Sequence, residues 1–314
     1  MTPVRTLHKA RLRVARRENL SFPEPFFWTT NDIERLGRLD SNYRSHLHAR
    51  ALDALNALPT KIRIAAEGDS WFDHPCIPDV MDWFDKFGYA PYRSDTPGRK
   101  LATMIREKVY LGFLDDPTVK AVLLSGGGND LISWKRTSQK QPSPIFKAGG
   151  GSANPADYLN DSELSEALAA LEELLAEFAR DVQKKRPGLR IITHCYDRFK
   201  PRTSGPFGAW IGPQMDLIGV PKSGPLRNKI AALLIDGAND AYRHACAAHQ
   251  MTFVDLRGTT GDRWYDEIHP NELAFHDIAK KLADQIPAAR GSIRRHGASR
   301  RYLPPSAKEG KRSR

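Results

Sequence analysis

The stretch Val119-Lys-Ala-Val-Leu-Leu-Ser-Gly-Gly-Gly-Asn-Asp130 decides the fold class. Its first half is apolar at nearly every position, so neither face is left for water. That is the pattern of a strand covered by helices on both sides of a parallel sheet. Upstream, Lys61-Ile-Arg-Ile-Ala-Ala-Glu-Gly-Asp-Ser-Trp71 opens with Ile62 and Ile64 in alternation and reads as a central strand running into a loop. Residues 79–87 and 98–109 read as short helices flanking a short strand at Tyr89–Tyr92. Downstream, Leu164, Leu168, Leu171, Leu174, Leu175, Phe178 and Val182 form an apolar stripe at helical period over 161–186. Asn160 or Asp161 can cap that helix, and Pro187-Gly188 stops it. A strand at 189–194, a mostly helical stretch at 222–249, a strand from Met251 and a last helix over 271–286 complete the series.

Strands alternating with helices predict an α/β fold. Right-handed crossovers put helices on both faces, giving a three-layer α/β/α sandwich around a central, mostly parallel five-stranded sheet. In such folds ligands bind beyond the carboxyl ends of the strands. The distinctive segments fall there: GDSW after the first strand, GGGND after the third, HCYD after the fourth and WYDEIHPN beyond the fifth.

The body forms one domain at 60–286, interrupted by Gly/Pro-rich stretches at 137–158 and 199–221 that are expected to be exposed insertions. A basic arm with an amphipathic helix at 41–57 occupies 1–59, and 287–314 reads as a basic, disordered tail. The formal net charge of +11 belongs to these ends. Residues 1–17 hold six Lys/Arg and no acid, and 290–314 hold nine against one Glu, which leaves the body at −3. The charge is therefore not the footprint of a folded nucleic-acid-binding face, although the tails can make weak contact with an anionic partner. Three scattered cysteines, Cys76, Cys195 and Cys246, give neither a disulfide framework nor a thiolate metal site. No apolar run approaches the roughly 18 residues of a membrane span, and the N-terminus lacks a secretory pattern, so a cytoplasmic location is expected.

Three blocks can carry chemistry. Ser70 follows a strand and Gly68, where the bland reading is a serine in an Asx-type turn. Asp266 and His269, three residues apart, can face one another on a loop or a helical turn, the acid fixing the imidazole tautomer for a nucleophilic serine. Asp262 and Glu267 are nearby acids that charge alone does not exclude. Asn129, at the end of a glycine run, can donate to an oxyanion or simply cap a turn. Neither a GxxxxGK[ST] loop nor a GxGxxG fingerprint occurs, and no GxSxG elbow is present.

Ser70 in GDS, Asn129 in GGGND and the late Asp266-x-x-His269 pair, in this order, resemble the SGNH (GDSL-type) hydrolase superfamily, and more narrowly a bacterial GDSL-like subgroup with unassigned substrates. The resemblance covers about 60–286. It implies that Ser70 is the nucleophile, its N–H part of the oxyanion hole, with His269 as base and Asp266 as the acid that orients it. It further implies that Asn129 is the side-chain oxyanion donor, with Gly127 the glycine of its block, and that Gly98 is the oxyanion-hole glycine. The implied activity is ester hydrolysis through an acyl-serine, with no cofactor and a small-molecule or glycan-linked ester as substrate.

Around these residues, Asp69, Trp71, Asp130, His194, Tyr196 and Asp197 are candidates for contacting substrate or supporting the site. Trp71 and Phe72 either line an acyl pocket or pack the core, and His194 is either a site residue or a satisfied buried histidine. Asp69, Asp73, His74, Asp130, His194 and Asp197 lie near the sheet top, but no HExxH-like spacing marks a metal site, and none is expected. The competing readings are a non-catalytic ligand-binding protein on the same fold and a nucleic-acid-associated protein acting through its tails.

Overall fold

The computed structural model describes residues 62–138, 140–204 and 209–286. The basic arm, its 41–57 helix and the tail from 287 lie outside the described residues. Five strands, β1 (Ile62–Gly68), β2 (Tyr89–Asp95), β3 (Ala121–Leu124), β4 (Arg190–His194) and β5 (Thr252–Val254), form one sheet in the order β2-β1-β3-β4-β5. Every neighbouring pair is parallel. The connecting helices are α1 (Val80–Lys86), α2 (Leu101–Glu107), a single turn α3 (Tyr110–Phe113), α4 (Gly128–Ile132), α5 (Asp161–Lys185), α6 (Gly212–Leu217), α7 (Leu226–Ala248) and α8 (Glu272–Ala283). Helix α1 packs with α8, while α5 packs with α2 and α7. These are the two helical layers that right-handed crossovers require for this strand order.

The strand order fixes where a site can form. Crossovers leave β1 in one direction toward β2 and return in the other toward β3, so a crevice opens between the carboxyl ends of β1 and β3. Ser70 follows β1 and Asn129 follows β3. The apolar stretch that decided the fold class is fully buried as β3. The stripe on α5 packs as expected: Leu171, Leu175, Phe178 and Val182 are buried, while Leu164, Leu168 and Leu174 are partly so. Asn160 caps the helix by accepting from Glu163 N.

The two insertions differ from expectation. The 137–158 stretch is not simply exposed: Ser143, Ile145, Phe146 and Tyr158 are buried, and Phe146 bridges Leu159. The 199–221 stretch contains α6 and contributes Ile211 and Met215 to the core. Both stretches are rich in turn formers, yet each carries a few apolar anchors that find the core. Among the described residues, no helix is long and apolar enough to cross a membrane.

Gly127 starts α4 with φ of +93°, and a Cβ there would come within 2.6 Å of Leu171 Cδ1 and 2.8 Å of the Tyr242 hydroxyl. Left-handed backbone and overpacking each disfavour a side chain. Gly127→Ala should therefore lower stability by about 2–4 kcal/mol. The check is a denaturant midpoint, and a midpoint equal to wild type would contradict this account of the turn.

Candidate active site

Beyond β1 the chain turns sharply. Asp69 O accepts from Phe72 N at 3.1 Å and Asp73 N at 3.0 Å, which makes Ser70 the first residue of a single helical turn. The close fold-back needs Gly68, because a Cβ there would sit 2.6 Å from the Phe72 ring. A residue at the start of such a turn has no intrahelical acceptor for its N–H. Ser70 N accordingly donates to no acceptor among the described residues.

The loop after β5 is closed on itself. Tyr265 N donates to His269 O at 2.8 Å, Asn271 N to Arg263 O at 2.8 Å, and Trp264 pairs with Pro270. This closed loop, not a helix, brings Asp266 and His269 face to face. The fully buried Asp266 carboxylate accepts from Ile268 N at 3.0 Å, His269 N at 2.8 Å and His269 Nδ1 at 2.7 Å. Since a carboxylate only accepts, Nδ1 carries the proton and Nε2 presents its lone pair. Nε2 lies 2.8 Å from Ser70 Oγ, so the hydroxyl donates to it. Serine, imidazole and carboxylate thus form one directed relay, capable of taking a proton from Oγ as it attacks.

Asp69 locks the turn in place. Its Oδ1 accepts from Trp71 N at 3.0 Å and Ser125 Oγ at 2.9 Å, and its Oδ2 accepts from the Tyr196 hydroxyl. Tyr196 Oη in turn accepts from Gly128 N at 3.2 Å. Trp71 is buried, stacks on His194 and donates from its indole to Ile268 O at 3.1 Å, which ties the serine turn to the histidine loop. His194 is fully buried: Nδ1 donates to Cys195 O at 2.9 Å, and Nε2 has no hydrogen-bond partner among the described residues. Burial lowers its pKa, which keeps it neutral.

Asn129 sits in the first turn of α4 and donates from Nδ2 to Arg99 O at 3.1 Å. An amide has two N–H donors, so this contact positions the group and leaves the second donor. Gly98, with φ of +73°, is the third residue of the Thr96–Arg99 turn and is not among the residues lining the cavity beside Ser70. Asp130 accepts from Leu101 N at 2.7 Å and Ala102 N at 3.1 Å, capping α2 from outside that helix. Asp197 accepts from Gly258 N and Thr260 N, each at 2.7 Å, and so secures the chain beyond β5.

A cavity of about 40 Å3 opens between these elements. Asp69, Ser70, Asn129, Tyr196 and Asp197 supply its polar side, and Leu131, Phe199, Leu234, Ile235 and Ile268 supply an apolar wall. The residues weighed as metal ligands from the sequence do not converge as a set. The group of possible ligands among the described residues is His74, Asp266 and His269, within 4.8 Å of one another. His74 Nδ1 accepts from the backbone donors Cys76 N and Ile77 N, each at 3.2 Å, and Asp266 and His269 are committed to the relay.

Two supporting elements escaped the sequence reading. Glu267, weighed only as a neighbouring acid, is fully buried and accepts from the backbone of the 199–221 stretch. Arg99, whose carbonyl receives Asn129, pairs through Nη1 with Glu67 Oε1 at 2.6 Å beneath the site. Adjacent acids in one short block were the available signal for Glu267. Nothing local pairs Glu67 with Arg99.

A family model described as the GDSL-like Lipase/Acylhydrolase family matches residues 97–275, more than half of the chain, starting after Ser70 and spanning Asn129, Asp266 and His269. No curated protein matches the sequence. Similar solved structures include an extracellular lipase from Streptomyces rimosus, at 15% identity and a TM-score of 0.48, covering 71% of this chain and 98% of that one. A phospholipase A1 from Streptomyces albidoflavus NA297 aligns at 15% identity and a TM-score of 0.49, covering 72% of this chain and 99% of that one.

Burial pushes Glu67 up to about 8 despite the neighbouring Arg99 guanidinium. The folded protein then holds this proton more tightly than the unfolded chain does. The contribution of Glu67 to stability is accordingly greatest below the ordinary glutamate range and declines as pH rises, until about 8. Glu67→Gln mimics the protonated acid and should remove that decline. Unfolding midpoints of both proteins across this window test it, and equal slopes would contradict the assignment.

Proposed function

The chain belongs to the GDSL-like lipase/acylhydrolase family, and from that premise we propose that it is a serine esterase acting on a short-chain carboxylic ester through an acyl-serine intermediate. The observation that carries this reading is the relay from Ser70 through His269 to Asp266, with Ser70 facing the cavity.

His269 Nε2 takes the Ser70 proton as Oγ adds to the ester carbonyl carbon. Asp266 holds the imidazole in the required tautomer and stabilises the imidazolium that forms. The carbonyl oxygen becomes an oxyanion, to which Ser70 N–H and the second N–H of the Asn129 amide can donate. Collapse breaks the bond to the alcohol oxygen, which leaves with the proton from His269. A water molecule then gives a proton to His269 and attacks the acyl carbon, and Ser70 departs with that proton as the carboxylic acid is released. One ester and one water become one acid and one alcohol.

The cavity supports a small, apolar acyl group. At roughly 10–15 Å3 per water-sized group, it has room for about three such groups, the size of an acetyl. Its wall of Leu131, Phe199, Leu234 and Ile235 matches an apolar acyl chain, and the two carboxylates that also line it, Asp69 and Asp197, are already engaged by donors of the protein.

Purified protein should hydrolyse p-nitrophenyl acetate faster than longer-chain homologues, and Ser70→Ala should depress kcat by more than about 10³-fold. Equal rates for Ser70→Ala and wild type would overturn the reading. Asn129→Ala should lower kcat by about 10²–10³-fold with little change in KM, because its hydrogen bond strengthens only as the oxyanion forms. A near-normal kcat with a lowered denaturation midpoint would instead make Asn129 a structural cap.

A further inference from the structure

Two aromatic rings pack against the His269 imidazole. His74 lies 4.7 Å away, centroid to centroid, and is buried. Trp210 lies 5.4 Å away at 87° and is only half-buried, so it alone of the pair can meet a bound molecule.

The backbone of Trp210 is gripped from both sides by fully buried side chains that the hydrolysis does not use. On one side is Glu267, which follows Asp266 directly in the chain. Its Oε2 accepts from Trp210 N and, at 2.9 Å, from Ile211 N. Its Oε1 accepts from Arg202 N at 2.9 Å and Gly212 N at 2.7 Å. On the other side, Gln214 Nε2 donates to Trp210 O at 2.7 Å and to Ile132 O, in the Asn129 helix, at 3.2 Å. Gln214 Oε1 accepts from Ser143 N at 2.7 Å, which brings in the other insertion. A carboxylate buried away from water is costly, and several charge-assisted bonds to backbone N–H groups are the usual compensation. Here every acceptor bond of Glu267 is spent on holding one loop against the histidine loop.

The ester's geometry says what lies at that position. With the acyl group in the cavity, the alcohol oxygen must lie near His269 Nε2 to receive its proton, so the alcohol leaves past the imidazole. Trp210 does not line the acyl cavity. It packs on the imidazole and remains partly exposed. We infer that Trp210 is the leaving-group contact, selecting alcohols that carry a flat apolar ring, and that Glu267 is the positioning residue that holds it there. This rests on the serine-esterase reading above.

The test compares phenyl acetate with ethyl acetate in wild type, Trp210→Ala, Trp210→Phe and Glu267→Gln. The value of kcat/KM reports acylation, when the alcohol is still present, whereas a deacylation-limited kcat is measured after it has left. Trp210→Ala should lower kcat/KM for phenyl acetate about 3- to 10-fold, the size of one lost aromatic contact. Its effect on ethyl acetate and on the deacylation rate should be smaller than its effect on phenyl acetate, and it should be largely rescued in Trp210→Phe. Glu267→Gln should show the same selective loss, larger on phenyl acetate than on ethyl acetate. Equal losses on both esters, or no loss on either, in a folded Trp210→Ala protein would overturn the inference, whatever the fate of Glu267→Gln. If wild type shows no Ser70-dependent turnover of either ester, the esterase reading itself fails, and that outcome is distinct.

Discussion

The site depends on one buried carboxylate, that of Asp69. It stands where β1 ends and accepts from the chain after it, from Ser125 beyond β3 and from Tyr196 beyond β4. Three neighbouring strand ends are thereby fixed to the residue that precedes Ser70. Hydrogen bonds to a charged group contribute about 1.5–3 kcal/mol each, and leaving such a group unpaired in the interior costs more. The turn presenting Ser70 is consequently bound to the sheet edge. Tyr196 passes the same constraint on to Gly128, and so to the helix that carries Asn129.

The same device recurs around the sheet top. Asp130 takes backbone N–H groups of α2, Asp197 takes those of the chain near Gly258, and Glu267 takes those of the 199–221 stretch. In each case an acid in one segment satisfies exposed donors in another. Loops cannot be buried unless their backbone groups are paired, and here a few carboxylates supply the missing acceptors. Asp266 differs in function because its third donor is an imidazole ring whose other nitrogen faces a hydroxyl. Most acids in the distinctive sequence blocks therefore build the scaffold, while one orients an imidazole toward a serine hydroxyl.

Periodicity and strand composition were enough to read the class of fold. The apolar run at β3 and the stripe on α5 bury as their patterns require, because side-chain period and hydrophobic burial are local properties. The order of the Ser70, Asn129 and Asp266-x-x-His269 blocks, each beyond a strand, was likewise enough to bring them to one edge. The insertions were harder. Residues 137–158 look like loop by composition, yet Ile145 and Phe146 are core residues, since a single apolar anchor in a turn-rich stretch carries no period.

The sequence by itself determined the alternation of strands and helices, the capping of α5, and the edge on which the chemistry-bearing residues emerge. Only the tertiary structure decided that Asp130 caps a helix far from it in the chain, that Gly98 lies on a turn outside the cavity wall, and that Glu267 and Gln214 grip Trp210 beside His269. The physical reason is one of range. Helix and strand preferences act between residues a few positions apart. Pairing a buried carboxylate with a particular backbone N–H joins segments tens of residues apart, and that partner exists only once both have packed.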